Sequence, residues 1–269
     1  MSFRDEARQH LVTAKALISE NTDQKLIYAA LELRMAIEAI SYDRANAIKD
    51  DFPPSEYETW KPSKVISVLL DIDPNADQPS ELSFGEEPSP GERPSVMHSL
   101  GSDRPLTIRE IKEHYDALGS YLHSQTIGQR KKSAKRDLSS LKKRCKKIVG
   151  VLDESLSAPI NSFVFGVYFE FNCLRCEKRI RRRFKMNSDS AEATCWECKA
   201  NHRVRSTGER QVAIEPVQSQ VPCANADCKE DFFLWADEIV PGTNWNCLAC
   251  GNRNRIILSV RAERPDANE

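Results

Sequence analysis

The sequence predicts an α+β protein, an all-helical bundle followed by two small β domains. Three observations lead there. Apolar residues recur at helical spacing through much of residues 1–157, the period switches from 3.6 to 2 after residue 161, and eight of nine cysteines fall into two matched sets of four beyond that switch.

A first helix is expected over residues 3–20. A second covers 25–49, where Leu26, Ala30, Leu33, Ile37, Ile40, Ala47 and Ile48 share one stripe, flanked by an Arg34–Glu38 pair at i, i+4. A short helix runs from about Lys61 to Leu70. From 71 to 105 the periodicity fails, and six prolines, with seven acids between Asp71 and Glu92, predict a mobile acidic, Pro-rich insertion in which Asp71 and Asp73 are solvated. Thr107 followed by Glu110 reads as a capping box, opening a helix with Ile108, Ile111, Tyr115, Leu118 and Leu122 on one face. Residues 133–156 give the cleanest helix: Leu138, Leu141, Cys145, Ile148, Val149, Leu152 and Leu156 alternate in steps of three and four. Cys145 lies inside that stripe and reads as a buried structural thiol. After a boundary at 157–161, the alternation in SFVFGVYFEFN reads as a strand.

Composition narrows the classes. The chain has 269 residues, 40% of them hydrophobic and 29% charged, ordinary values for a folded protein. No run of about 18 apolar residues suggests a membrane span, and the charged N-terminus MSFRDEARQH lacks a secretory apolar segment. A cytoplasmic, reducing location is therefore expected, where cysteines serve as metal ligands more often than as disulfides. The net charge of −1 conceals a gradient: residues 1–103 carry −9, residues 104–210 carry +12 and residues 211–269 carry −4. Such local fields select partners more than the total does.

The cysteines are Cys173-x2-Cys176-x18-Cys195-x2-Cys198 and Cys223-x4-Cys228-x18-Cys247-x2-Cys250. The last three of each set repeat at an offset of 52, as an internal duplication would leave them. Cysteines two to four residues apart form a tight knuckle, and two knuckles supply the four thiolates that tetrahedral zinc prefers, with no open position for water. The expectation is two structural Zn2+ ions in tandem zinc ribbons, a basic one over 161–210 and an acidic one over 211–262, after a helical domain over 1–157 that carries the 71–105 insertion. Spacing alone leaves iron as the alternative metal. Trp245-Asn246-Cys247-Leu248-Ala249-Cys250-Gly251 resembles the second knuckle of zinc ribbons and rubredoxins, with Gly251 suited to a positive φ. His202 reads as a surface histidine, and Trp235 and Trp245 as ribbon core.

The first ribbon holds Lys178, Arg179, Arg181, Arg182, Arg183 and Lys185 on one strand, and residues 130–147 upstream hold ten Lys/Arg against one Asp. Alternation along a strand would show charge on both faces. That pattern suits phosphates, with Phe184 and Trp196 as candidate stacking groups for bases.

Two stretches, Leu31-Glu32-Leu33-Arg34-Met35-Ala36-Ile37-Glu38-Ala39-Ile40 and Tyr115-Asp116-Ala117-Leu118-Gly119-Ser120-Tyr121-Leu122-His123, resemble the HEPN superfamily, helical bundles common among bacterial toxins and anti-phage systems. The resemblance implies a HEPN-like bundle, a bacterial defence setting and a homodimer through the helical domain. Many HEPN proteins are metal-independent endoribonucleases with an Arg-x4–6-His motif completed by dimerisation; Arg109-Glu-Ile-Lys-Glu-His114 matches it, with His123 as another candidate histidine. On one helix Arg109 and His114 lie about 140° apart. The sequence thus leads to a zinc-binding protein that contacts RNA or DNA through the basic first ribbon and the helix before it. A ribonuclease using Arg109 and His114, or an adaptor docking on a protein partner, are the alternatives, and no membrane partner is expected.

Overall fold

The computed structural model describes residues 2–52, 61–124, 126–132, 138–161, 168–185, 187–208 and 211–259, without the side chains of residues 50, 129 and 132. The chain forms two compact units, Met1–Val167 and Tyr168–Glu269. No described helix is long and apolar enough to cross a membrane.

In the first unit, α1 (Phe3–Glu20) and α2 (Asp23–Asn46) form a helical hairpin across a two-residue link. Asn21 ends α1 in a left-handed conformation, and the Thr22 hydroxyl then accepts the Lys25 N–H to open α2. α2 is the central helix, packed by α1, by α3 (Pro62–Ile72), by α4 (Ile108–Leu122) and by α6 (Ser139–Ser157). Ala29, Ala30 and Ala36 let these neighbours approach closely, and Leu33 and Ile37 fill the space between them. A short α5 (Ile127–Lys132) lies between α4 and α6 in the chain. Arg4 ties α1 to α6, its Nη2 donating to the Ser155 carbonyl at 2.7 Å. Cys145 is fully buried, and burial pushes its thiol up to about 11, so it stays protonated and apolar. The start of the expected 133–156 helix and most of the strand expected from 162 lie outside the described residues.

The acidic insertion is not structureless. Residues Ser80–Phe84 (β1) and His98–Asp103 (β2) pair as an antiparallel hairpin, with a register shift at Leu82/Ser83. Its base is held by long-range contacts. Asp103 is buried and accepts Arg44 Nη1 at 2.8 Å, while Arg44 Nη2 donates to the Ala76 carbonyl at 2.6 Å. Asp77 accepts the Ile108 N–H at 3.2 Å, at the start of α4. Asp73, expected in solvent, is buried and accepts the Asn75 N–H at 3.0 Å. The acids that made this stretch look unstructured thus include structural ones: Asp103 in an ion pair, Asp73 and Asp77 as turn and helix-start acceptors.

Thr107 and Glu110 do form a capping box at the start of α4. On this helix His114 shares the inward stripe with Ile111 and Leu118 and is 1% exposed. Neither ring nitrogen has a hydrogen-bond partner among the described residues; Glu113 lies 3.9 Å from Nδ1. Burial is the main cause that holds its pKa below 6.5, with Lys147 and Arg144 adding to it and Glu113 and Glu110 opposing.

The sign of the consequence is fixed. The unfolded chain protonates this histidine first, so its contribution to stability is present above pH 6.5 and is lost as the pH falls from there through the depressed folded value. Urea unfolding followed by the helical circular-dichroism signal is expected to show His114→Leu losing less stability than wild type between pH 7.5 and 5.5. At pH 7.5 the variant should be more stable by about 1 kcal/mol, because two unpaired polar atoms leave the core. A variant whose acid sensitivity equals that of wild type contradicts this.

Candidate metal centres

The second unit is a series of hairpins, four of which carry a cysteine pair at the tip. β3 (Tyr168–Asn172) and β4 (Arg179–Arg183) flank Cys173 and Cys176; β5 (Ser190–Thr194) and β6 (Asn201–Gly208) flank Cys195 and Cys198. β8 (Gln218–Pro222) and β9 (Asp231–Trp235) flank Cys223 and Cys228; β10 (Asn244–Asn246) and β11 (Arg253–Arg255) flank Cys247 and Cys250. Between them β7 (Gln211–Pro216) pairs with β6. A boundary at 210/211 therefore cuts through a sheet, and residues 211–216 belong with the first ribbon.

Three of the four knuckles close by a repeated pair of backbone bonds. The Cys173 N–H donates to Lys178 O at 2.8 Å and the Glu177 N–H to Cys173 O at 2.9 Å; Cys195 with Ala200, and Cys247 with Asn252, repeat the pattern. The residue after the second cysteine takes a left-handed φ in these three knuckles: Glu177 at 61°, Lys199 at 60° and Gly251 at 76°. Only the third is a glycine, so two knuckles hold L residues where glycine is favoured. The Cys223–Cys228 knuckle, with its four-residue spacer, keeps the first bond, Cys223 N–H to Glu230 O at 2.9 Å, but replaces the second with the Cys228 N–H on Asn225 O at 2.9 Å.

The eight sulfurs gather into two groups, Cys173, Cys176, Cys195, Cys198 and Cys223, Cys228, Cys247, Cys250, each within 4.8 Å. Cys173 and Cys198 are 3.5 Å apart and Cys176 and Cys195 3.6 Å; in the second group the separations are 3.8 and 3.7 Å. A tetrahedron with metal–sulfur bonds of about 2.3 Å has edges of about 3.8 Å, so both groups fit one ion each. They are far too wide for disulfides, whose sulfurs sit about 2.05 Å apart. Four sulfurs close the coordination sphere, so each site can hold a structural ion and leaves no position for a substrate. Burial pushes the Cys198 thiol up to about 12, whereas the Asn252 backbone N–H pulls Cys250 down to about 7. Four crowded thiols cannot all ionise alone; a divalent cation lets them do so.

The supporting groups were not legible as such. His202 is fully buried, not at the surface. Its Nδ1 donates to Ala193 O at 3.2 Å, which leaves Nε2 to accept the Leu174 N–H at 3.2 Å, beside Cys173 Sγ at 3.6 Å. Burial keeps its pKa below the usual histidine value, consistent with the neutral ring. In the second ribbon the buried Asn254 does the same, its Oδ1 accepting the Ala224 N–H at 2.7 Å. Leu174 and Ala224 each follow the first cysteine of their set, and 202 and 254 differ by the same 52 residues as the cysteines. The duplication offset was the signal that finds this position.

The ribbons also share parts. Trp235, from the second repeat, packs in the core of the first with Phe171, Ile180 and Val204, 5.6 Å from the His202 ring. Arg175, inside the first knuckle, donates to both Asp237 oxygens at 3.0 and 2.9 Å, to Glu238 at 2.8 Å and to Cys198 O at 3.1 Å. Trp245 stays in its own ribbon, edge-on to Phe232 at 5.5 Å.

The basic strand alternates in β3–β4 register, Phe169 opposite Arg182 and Phe171 opposite Ile180. Arg182 is consequently 3% exposed. Its guanidinium lies 4.7 Å over Trp196 and donates to the Arg181 and Thr194 carbonyls at 2.8 and 3.2 Å. Charge therefore does not face both ways, and Arg182 is removed from the candidate nucleic-acid surface. Arg179 is exposed and Arg181 and Arg183 half-exposed at the alternate positions of β4, while Lys178 and Lys185 are exposed just before and after the strand. Arg181 and Arg183 lie 4.1 and 5.6 Å from the Tyr168 ring, and Arg179 pairs with Glu170 at 2.7 Å. Phe184 packs 4.6 Å from Phe169 and Trp196 lies beneath Arg182, so both expected base-stacking groups are engaged internally. In the other unit, Arg109 is exposed and His114 buried, and the two do not meet within the chain; His123 is exposed at the end of α4.

The chain matches no protein-family model, no curated protein and no solved structure. The HEPN resemblance thus rests on the quoted stretches of α2 and α4 alone.

The shared role of His202 and Asn254 has a direct check. His202→Asn is expected to keep the first site close to wild type, since an asparagine does this task in the second ribbon. His202→Leu strands the Leu174 N–H and should weaken cobalt(II) affinity of the first site about 10- to 100-fold, read from thiolate–cobalt absorption in a titration of the full chain. Equal affinity for the Leu and Asn variants contradicts the assignment.

Proposed function

We propose that this protein is a zinc-stabilised nucleic-acid-binding protein whose two four-cysteine ribbons form the scaffold and whose first ribbon contacts phosphates. The observation that carries the reading is the outward face of the β3–β4 hairpin, where Arg181 and Arg183 flank Tyr168 between Lys178 and Lys185. An arginine resting on an aromatic face has fewer conformations to lose when it binds a phosphate. Zinc is the ion favoured for a closed four-thiolate set, and it supplies the folding energy that ribbons of about 50 residues cannot draw from their cores.

The same geometry favours backbone contacts over base reading. The ribbon's aromatic side chains are packed under arginines or in the core, which leaves affinity to charge and makes it weakly dependent on sequence. RNA and DNA both satisfy that chemistry.

A second reading concerns the helical unit. Tyr28, Leu31 and Met35 are exposed on α2 at spacings of three and four residues, a stripe of the kind that docks on a protein. This supports a docking role for the unit, through a partner or a second copy, more than ribonuclease chemistry, for which Arg109 and His114 would have to converge.

With five exposed or half-exposed cations on the hairpin, the slope of log affinity against log salt is expected near −4, from about 0.7 to 0.9 per phosphate. Fluorescence anisotropy with a labelled RNA of about 25 nucleotides measures it. Arg181→Glu with Arg183→Glu should abolish most of the affinity and leave thermal stability intact, whereas Arg182→Glu should lower stability because a carboxylate replaces a buried, bonded guanidinium. Unchanged affinity in the Arg181/Arg183 variant would sink the reading.

A further inference from the structure

α6 carries its charges in the wrong order for its own stability. Lys142, Lys143, Arg144, Lys146 and Lys147 crowd its first half, whereas Asp153 and Glu154 lie near its end. A helix favours acids at its N-terminal end and bases at its C-terminal end; α6 has no acid in its first turn, no base in its last and no side-chain N-cap. Like charges also meet at three- and four-residue steps, Lys142–Lys146, Lys143–Lys146 and Lys143–Lys147, each mildly destabilising. Part of the set is neutralised internally. Lys142 donates to Asn21, and Arg144 and Lys147 share Glu113 on α4 at 3.2 and 3.4 Å. Lys143 and Lys146 have no acidic partner among the described residues and are exposed.

Gly150 adds a second, independent oddity. It lies one turn beyond Lys146 and Lys147 on the same outer face, in the interior of a 19-residue helix. An added Cβ would meet nothing within 4 Å. The fold gains nothing from the glycine, and an exposed helix interior loses about 1 kcal/mol by having it rather than alanine. A side chain missing beside a row of lysines lets another molecule approach the helix backbone closely.

We propose that the outer ridge of α6, formed by Lys143, Lys146, Lys147 and Gly150, is a second nucleic-acid contact, on the helical unit and separate from the first ribbon. It builds on the nucleic-acid reading above and extends it to a different surface. The ridge takes the phosphate backbone. Lys143 and Lys147 are about 6 Å apart along the helix axis, so the row offers closely spaced charges to a polyanion, and no exposed large apolar residue of α6 accompanies them as insertion into a lipid surface would need. Binding relieves the repulsion that the free helix sustains, which accounts for a charge order that stability alone would not keep.

The test uses the full chain and a labelled RNA duplex of about 25 base pairs, alongside its single strand. Lys143→Gln, Lys146→Gln and Lys147→Gln together should weaken binding at least tenfold at low salt and make the salt slope shallower by about 2 to 3. The same variant should melt at an equal or higher temperature, since the glutamines remove repulsion without breaking the helix and Arg144 still pairs with Glu113 when Lys147 is gone; this separates lost contact from lost fold. Gly150→Ala should raise the melting temperature and weaken binding, whereas tighter or equal binding contradicts close approach. If the triple variant binds with wild-type affinity and slope while the Arg181/Arg183 reversal does not, the ridge is overturned and the ribbon reading stands. If the reversal has no effect and the triple variant loses binding, the ridge stands and the ribbon reading falls. Poly-glutamate bound through the ridge with no measurable RNA binding would assign it to an acidic protein and overturn the proposal, as would no binding by wild type at all.

Discussion

The convergence of four cysteine sulfurs in each ribbon is the constraint on which the second unit depends. Its strands are three to eight residues long, and two-stranded hairpins of that length are marginal alone. What joins them is the placement of knuckles at four hairpin tips, so that one ion between two tips would supplement the small apolar core of such a domain. The requirement is severe enough to hold Glu177 and Lys199 in left-handed conformations. The groups behind the sulfurs follow from the same demand, since His202 and Asn254 each pin the backbone N–H next to the first cysteine of their set.

The two ribbons repeat one cysteine plan but are not independent. The first has a proper core, and part of it, Trp235, is lent by the second. Arg175 binds its own second knuckle and the Asp237–Glu238 turn at once, so an ordered first knuckle also orders a turn of the second ribbon. Charge diverged along with packing. In aligned positions of the hairpin after the second cysteine, the first ribbon has Arg181, Arg182 and Arg183 and the second has Phe233, Leu234 and Trp235. One ribbon carries a basic strand, and the other supplies Trp235 to the core of the first.

Several features were legible in the sequence for identifiable reasons. Cysteine spacing encodes coordination directly, and the capping box at Thr107 is a local motif whose partners lie three residues apart. The β1–β2 hairpin was hidden because its anchors are not local: Arg44 and Asp103 are 59 residues apart, and the prolines and acids between them mimic an unstructured insertion. His114 and Arg182 were misjudged by residue type although their periodicity was informative. His114 falls three residues after Ile111 and four before Leu118, and Arg182 two after Ile180, so each position belongs to an inward stripe. A charged or polar side chain at a core position is a cost, and the structure meets it differently in the two cases. Arg182 is satisfied by carbonyls and a tryptophan face, whereas His114 is left without a hydrogen-bond partner among the described residues.

Metal content of the purified full chain tests the central claim most directly. Elemental analysis should return about two zinc ions per chain, one for each closed set of four sulfurs. Fewer than about 1.5 equivalents of zinc, with no iron to make up the difference, would contradict the account, because the gathered sulfurs of at least one ribbon would then lack the ion that holds them together.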